Sequence, residues 1–288
     1  MSLDRRLNAV RSDLADARLR GRVDAPRFAE GVTKRVIDPV AALRREPSPA
    51  SGLDTQALMG EAVSVFEEDV EGWAWVQLER DGYVGYLPSA ALGDAPEPSH
   101  RIAVQRTFVY PGPSLKLPTE TFLSLGSGVT VERTEGQYAR IAVGWVVSDH
   151  LDRIGECEPD FVAVAERFLH TPYLWGGKTS LGIDCSGLVQ VSMQAAGLDA
   201  PRDSDMQERA LGTPIAFDER MAALERGDLV FWKGHVGIML DADTLLHANG
   251  YHMAVAMEPI RQACARILAK SFGAVTAVRR PERLGAGE

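Results

Sequence analysis

The 288-residue sequence contains few cysteines and no long run of apolar residues. Its three cysteines, Cys157, Cys185 and Cys264, are too few and too scattered for a disulfide framework or a standard zinc site. No apolar stretch is long enough to cross a membrane, and the first 21 residues lack the apolar core of a secretory signal. We therefore expect a cytoplasmic protein that makes no membrane contact.

Positively charged residues are also fewer than negatively charged ones. The sequence has 31 Lys and Arg residues against 40 Asp and Glu residues, which gives a formal net charge of −9. A negative surface repels phosphate backbones, so this balance argues against nucleic acid as a partner. Hydrophobic residues make up 45% of the chain, which is typical of a globular protein, and the length predicts two or three domains.

Residues 1–52 are predicted to form a helical segment followed by a linker. Apolar residues near the start recur at the spacing of an amphipathic helix: Leu3, Leu7, Val10, Leu14 and Ala17. Residues 46–52, EPSPASG, combine proline, serine and glycine in the way that linkers do. We expect the helix to pack on the body of the protein.

Two β-rich segments follow, at residues 53–94 and 100–152, separated by a second short linker, APEPSH. Both contain short alternating runs with aromatic residues and glycine turns, which is typical of small barrels. The first ends in GWAWVQLERDGYVGYLP and the second in QYARIAVGWVVSDHL. The two segments resemble tandem bacterial SH3-like barrels.

Residues 155–284 have a different hydrophobic pattern, in which helical patterns come first and strand patterns follow. This order predicts an α+β domain with an antiparallel sheet. Within it, Asp184 is a good N-cap residue for a helix that begins at Cys185 and ends near Gly197. A thiol in the first turn of a helix is expected to have a lowered pKa, and the Cys185 N–H would point at a developing oxyanion. The alternative is a buried structural cysteine.

His235 and His247 lie on two neighbouring strand patterns, HVGIML and TLLHAN. A three-residue connection around Asp241, or a bulge, would place the two rings together, whereas a two-residue turn at residues 242–243 would place them on opposite faces. If they meet, His235 is the base for Cys185 and His247 orients it. His252 is a weaker candidate for the third position. A zinc site built from Cys185, His235 and His247 matches no standard metal motif, so neither metal nor cofactor is expected.

The motifs PYLWGGKTSLGIDCSGLV, PRDSDMQ, RGDLVFWKGHVGIML and LLHANG resemble, in order and spacing, the NlpC family of papain-like cysteine peptidases. The resemblance covers residues 158–282. It implies a papain-like domain in which Cys185 is the nucleophile, His235 the base and His247 the orienting residue. Members of the family cleave peptidoglycan stem peptides, typically between the γ-carboxyl of D-glutamate and a diamino acid. With the barrels in front, the chain is similar to γ-D-glutamyl-L-diamino acid endopeptidases.

Asp203 stands where a threonine is common in the family. A carboxylate there could pair with the ammonium group of an N-terminal L-alanine, which is free only in a released stem peptide. This predicts a recycling enzyme that acts on free L-Ala-γ-D-Glu-diamino acid peptides. Further lining residues are predicted at Trp175, Asp184, Ser186 and Ser204. The family resemblance also assigns a tyrosine of the first barrel to this end of the site, Tyr83 or, failing that, Tyr86.

Several alternatives stay open on the sequence alone. Asp203 could be only a loop cap, and Trp175 only a core residue. The protein could be an exported hydrolase of intact wall, with the barrels as wall-targeting modules, or a peptide-binding module without activity. An acyltransferase on the same scaffold is a further alternative. The preferred diamino acid and the oligomeric state are not predicted.

Overall fold

The structure is a computed structural model that describes residues 3–218, 221 and 223–282. The chain divides into two compact units, Met1–Ile154 and Gly155–Glu288. The predicted catalytic domain ended at residue 284, and its last two residues lie outside the described part of the chain, as do residues 1 and 2 of the N-terminal segment. No helix among the described residues has the length and apolar character needed to cross a membrane.

The first unit is built almost entirely of short strands. Their bounds are β1 (Leu14–Asp16), β2 (Arg27–Ala29), β3 (Val32–Val36), β4 (Val40–Arg44), β5 (Leu53–Leu58), β6 (Ala62–Glu68), β7 (Trp73–Leu78), β8 (Val84–Pro88), β9 (Leu92–Gly93), β10 (His100–Ile102), β11 (Arg106–Val109), β12 (Thr121–Ser124), β13 (Gly128–Val129), β14 (Arg133–Glu135), β15 (Tyr138–Ile141), β16 (Gly144–Val147) and β17 (Leu151–Arg153). Three single-turn 3₁₀ helices, at residues 17–19, 89–91 and 148–150, connect some of them.

The first barrel is a seven-stranded sheet in the order β5-β4-β8-β7-β6-β3-β9, and all its neighbouring strands are antiparallel. Its strands alternate as a half-buried sheet requires: in β6, Val63 and Val65 are buried while Ser64 is less so. The predicted start at residue 53 is wrong, because β3 and β4 belong to the same sheet. The segment EPSPASG is therefore the connection between β4 and β5, which pair directly through Leu43 and Thr55, and not a linker between domains.

The predicted N-terminal helix is also wrong. Residues 14–16 form β1, which pairs in parallel with β2, and a 3₁₀ turn follows at residues 17–19. Ala9 and Leu14 pack against the ring of Trp75 in the barrel, and the Arg11 guanidinium lies 4.6 Å from the centroid of that ring. These tertiary contacts outweigh the helical spacing, since a short isolated helix is only marginally stable.

The second barrel consists of three small sheets, β13-β10-β17, β11-β12 and β14-β15-β16. Their inward faces form one core, in which Ile102, Val109, Leu123 and Val146 are completely buried. The N–H of Gly128 donates to the carbonyl of Met59 at 2.7 Å, which joins this barrel to the first one within the same unit.

In its described residues, the second unit combines four helices with a six-stranded antiparallel sheet in the order β20-β25-β21-β22-β23-β24, which confirms the predicted α+β class. Its elements are α1 (Phe161–Glu166), β18 (Lys178–Thr179), β19 (Gly182–Ile183), α2 (Cys185–Ala195), α3 (Ser204–Ala210), β20 (Thr213–Pro214), β21 (Leu229–Trp232), β22 (His235–Met239), β23 (Thr244–Asn249), β24 (Ala254–Pro259), α4 (Ile260–Lys270) and β25 (Val275–Arg280). Helix α2 is entirely buried, and it packs against β22 and β23, the two strands that carry the predicted histidines.

Candidate active site

Helix α2 begins at Cys185, with Asp184 as its N-cap residue, as predicted. The Asp184 carboxylate accepts a hydrogen bond from the Gly187 N–H at 2.7 Å. Gly187 has to be a glycine, because a Cβ there would lie 2.3 Å from the Gly177 carbonyl oxygen. As the first residue of the helix, Cys185 has an N–H with no acceptor inside the helix, and this N–H is available to a developing oxyanion.

The predicted low pKa of Cys185 is wrong. Burial, followed by the negative charge of Asp184, raises the pKa of the thiol to about 12. Hydrogen bonds from the backbone of Val236 and Ser186 act in the opposite direction but do not compensate. The free energy of removing a thiolate from water therefore exceeds the stabilisation that the helix N-terminus gives it. The contact with Val236, the residue after His235, places the thiol beside the start of β22.

His235 and His247 meet, as the three-residue connection requires. Leu240 pairs with Thr244 across the hairpin, so the connection is formed by residues 241–243 and is centred one residue beyond Asp241. In this register the two histidines are diagonal neighbours on one face of the sheet. His235 Nε2 and His247 Nδ1 are 2.8 Å apart. Gly237 faces the second ring, and a Cβ on it would come within 3.2 Å of the His247 Cβ.

A carboxylate that the sequence analysis missed continues this chain of hydrogen bonds. His247 Nε2 lies 2.7 Å from Glu258 Oε1, on the adjacent strand β24. Arg266, from α4, also donates to Glu258 Oε1. Glu258 stands next to Pro259 at the end of a strand and carries no motif, so only the pairing of β23 with β24 reveals its role.

Aromatic rings enclose His235. The Phe272 ring is stacked on it, with centroids 5.3 Å apart and planes 10° apart, and Trp232 packs against it at 5.6 Å. Burial, the neighbouring His247 and the charge of Arg266 together hold the pKa of His235 well below its ordinary value. Phe272 is 42% exposed, so it is the part of this enclosure that a bound ligand can reach.

Asp184 and Ser186, two of the predicted lining residues, are both buried and bound to a third residue that the sequence analysis did not single out. The guanidinium of Arg202 donates to both carboxylate oxygens of Asp184, at 3.0 and 2.7 Å, and to the Ser186 hydroxyl at 2.9 Å. Asp184 also accepts from the N–H of Gly176 at 2.8 Å. The motif PRDSDMQ, which contains Arg202, is the sequence signal for this residue. This network ties the Trp175 loop and the α3 entrance to the start of α2.

Asp203 and Ser204 lie where α3 begins, directly after Arg202. Asp203 occupies the N-cap position, and its backbone carbonyl accepts from the N–H groups of Met206 and Gln207 at 3.0 and 2.9 Å. In the part of the chain that the structure describes, its carboxylate makes no capping hydrogen bond to this helix. Trp175 is 68% exposed, which excludes the alternative that it is a core residue.

Tyr173 lies close enough to Cys185 and Asp184 for their charges to act on its phenol. Burial first, and then these two charges, raise the pKa of the Tyr173 phenol, which stays protonated and able to donate. Tyr83 and Tyr86 belong to the other unit. There Tyr83 is buried, and the Tyr86 hydroxyl accepts from Arg11 at 3.2 Å. The role of either tyrosine at the active site stays a prediction.

One cluster of possible metal ligands occurs among the described residues. His247, His252 and Glu258 each place one ligand atom within 4.8 Å of the others. Arg266 is already bound to Glu258, and its positive charge at this position opposes a second cation.

Comparison with known proteins identifies two regions of similarity and a protein of similar fold. Residues 170–268 match the NlpC/P60 family, and residues 43–92 match the bacterial dipeptidyl-peptidase Sh3 domain. A γ-D-glutamyl-L-lysine dipeptidyl-peptidase of Bacillus cereus is 27% identical over 246 residues, 73% of this chain and 72% of the relative. Dipeptidyl-peptidase 6 of Lysinibacillus sphaericus is 28% identical over 239 residues, 74% of this chain and 86% of the relative. The crystal structure of an NlpC/P60 family protein from Bacillus cereus has the same fold, with a TM-score of 0.71 and 20% identity over 87% of this chain and 99% of that chain.

Proposed function

Because the chain carries an NlpC/P60 peptidase domain behind a bacterial SH3 domain, we propose that it is a cysteine endopeptidase of free murein stem peptides. The proposed reaction is hydrolysis of the bond between the γ-carboxyl of D-glutamate and the following diamino acid, in peptides that begin with L-alanine. The observation that carries the proposal is the buried pair of His235 and His247, 2.8 Å apart, together with the Cys185 thiol at the start of α2, which is hydrogen-bonded to the backbone of Val236, the residue after His235.

The geometry supports a two-step acyl transfer. Cys185 Sγ attacks the γ-carbonyl carbon while its proton passes to His235, and the Cys185 N–H donates to the oxyanion. His235 then gives this proton to the departing amine, which leaves a thioester. Water adds to the thioester with His235 again as base, the C–S bond breaks, and His235 returns the proton to Cys185 Sγ. The dipeptide leaves with a free γ-carboxylate.

The names of the relatives support a substrate with a free N-terminus. A dipeptidyl-peptidase, by its name, releases a dipeptide from the start of a peptide, and one relative is named for the γ-D-glutamyl-L-lysine bond. In this chain, the proposed partner of the terminal ammonium is Asp203, beside the buried Arg202. A released peptide implies an enzyme of the cytoplasm, where such peptides are recycled, and cell fractionation tests that location.

The test compares L-Ala-γ-D-Glu-L-Lys, its meso-diaminopimelate counterpart and the N-acetylated form of each, with products followed by mass spectrometry. We expect cleavage of the free peptides and a loss of about 10- to 100-fold on acetylation, the value of one hydrogen bond to a charged group. Asp203→Asn should remove most of this preference. Asp205→Asn is the matched control, because Asp205 lies two residues away on the same helix and is bound to Arg209.

Cys185→Ala should abolish turnover, whereas Cys157→Ala, at an exposed cysteine of the same unit, should leave it unchanged. Equal cleavage of free and acetylated peptides would contradict the role of Asp203. Release of fragments from purified sacculi would favour the exported wall hydrolase instead. Substrate binding without turnover in the wild-type protein would favour the peptide-binding module.

A further inference from the structure

His247 is held from both sides in the interior of the second unit. Its side chain has no exposed surface, and each ring nitrogen has one close partner, His235 Nε2 on one side and Glu258 Oε1 on the other. A ring in this position cannot exchange its partners for water. Its protonation therefore depends on the two groups that it contacts.

The carboxylate decides which nitrogen of each ring carries the proton. Burial acts to raise the pKa of Glu258, but His247 and Arg266 outweigh it and hold this pKa below its ordinary value, so Glu258 is ionised and only accepts. His247 must then donate through Nε2. Burial lowers the pKa of His247 and keeps it neutral, so its Nδ1 is an acceptor and His235 donates to it through Nε2. His235 is left with an unprotonated Nδ1, the form that a base for the thiol needs.

Arg266 holds Glu258 in this position. It donates to the same oxygen, Glu258 Oε1, that faces His247. The guanidinium also lies over the Tyr251 ring, 4.3 Å from its centroid, which fixes the arginine as well. The carboxylate is thus anchored from α4, independently of the hairpin that carries the histidines.

We propose that Glu258 is a positioning residue, fixed by Arg266, that sets the tautomers of His247 and His235 and so extends the Cys185–His235–His247 arrangement to a fourth member. This inference rests on the proposed function only in taking Cys185 as the nucleophile. Glu258 touches neither thiol nor substrate, and it acts through His247. Its negative charge also stabilises the imidazolium that forms when His235 accepts the thiol proton.

The test uses the rate at which iodoacetamide alkylates Cys185 as a function of pH, read by peptide mass spectrometry on the full chain. The exposed Cys157 is an internal reference. This reaction needs the base but no peptide substrate. If the peptides are not cleaved but Glu258→Gln slows alkylation, the proposed function fails and this inference stands. If the peptides are cleaved but Glu258→Gln leaves alkylation unchanged, this inference fails and the proposed function stands.

We expect Glu258→Gln to slow alkylation of Cys185 at neutral pH by about 10- to 100-fold. Glu258→Asp, which keeps the charge, should recover most of the loss. Glu166→Gln is the matched control, because Glu166 is an ion-pair partner of Arg226 in the same unit, away from the histidines.

The acid side of the pH profile separates positioning from a merely structural role. The charged and titratable groups that act on His247 are His235 from β22, Glu258 from β24, Arg266 from α4 and His252 from the turn between β23 and β24. Loss of the one negative charge among them lowers the pKa of the histidine pair, so the acid limb should move to lower pH. A loosened site would admit water and move the limb upward, towards the ordinary histidine value. An upward shift, an unchanged rate, or a Glu258→Asp variant no better than Glu258→Gln would overturn the proposal.

Discussion

At the scale of single residues, burial governs the chemistry of Cys185. The helix terminus favours a thiolate, but the buried position and Asp184 favour the thiol, and burial also keeps His235 neutral. The two groups therefore start as thiol and imidazole and not as an ion pair. We infer that proton transfer accompanies attack on the substrate, when the developing charges can stabilise each other.

Phe272 provides a test of this effect of burial. Phe272→Ala removes the ring stacked on His235 and admits water, so the lowered pKa of His235 should rise towards its ordinary value. Under the proposed mechanism the protonated form of His235 is inactive, and the acid limb of the kcat/KM profile should accordingly move to higher pH, opposite to the shift expected for Glu258→Gln. Phe108→Ala, at an exposed phenylalanine of the second barrel, is the control. A limb that stays in place would show that Phe272 does not shield the base.

The residues that the sequence analysis identified and those it missed differ in how they are encoded. Cys185, His235 and His247 stand in local motifs, each with a recognisable helix start or strand. Glu258 and Arg202 have no local sign of their function, because their partners lie 11 and 18 positions away in sequence. Charged residues of this kind are usually on the surface, and only the fold shows that Arg202 is buried, that Glu258 is partly buried, and that both are bound to other side chains.

At the scale of elements, the start of α2 depends on a tight approach between two backbones. The carbonyl of Gly177 packs against Gly187, while Asp184 caps the same turn. This turn fixes the position of the Cys185 backbone, and a hydrogen bond from the backbone of Val236 reaches its thiol. The sequence predicted the cap correctly, but the need for glycine at position 187 follows only from the neighbouring loop.

Gly187→Ala should therefore destabilise the second unit by about 1–3 kcal/mol, the usual cost of inserting a methyl group into a packed site. Denaturant unfolding followed by circular dichroism measures the loss. Gly250→Ala is the matched control, because a Cβ at Gly250 meets nothing within 4 Å. Equal stability of the two variants would show that the backbone at the start of α2 can shift without cost.

In the β22–β23 hairpin, the sequence predicts the two strands but not the length of the turn between them. The sequence pattern predicted two strands, and the choice between connections of two and three residues decided whether the histidines share a face. The structure has the three-residue connection, which shifts the register so that Gly237 faces His247. Turn length within an Asp-rich stretch depends on packing of the flanking strands, which local sequence does not specify.

At the scale of the whole molecule, charge leads to a prediction about partners. A net charge of −9 gives no electrostatic footprint for a phosphate backbone, so we expect no retention on heparin and no mobility shift with duplex DNA at about 150 mM salt. A basic protein of similar size serves as the positive control. Binding that weakens steeply with added salt would contradict this expectation.

The sequence by itself determined the order of β-rich and α+β regions, the helix that begins at Cys185, and the two histidines of the site, because these follow from local periodicity, capping and motif spacing. Tertiary structure decided the rest. In the tertiary structure the N-terminal segment forms strands, and burial raises the pKa of Cys185. The fold also places Glu258, bound to Arg266, against His247 Nε2. These outcomes depend on burial and on contacts between residues distant in the chain, whose energies no local pattern contains.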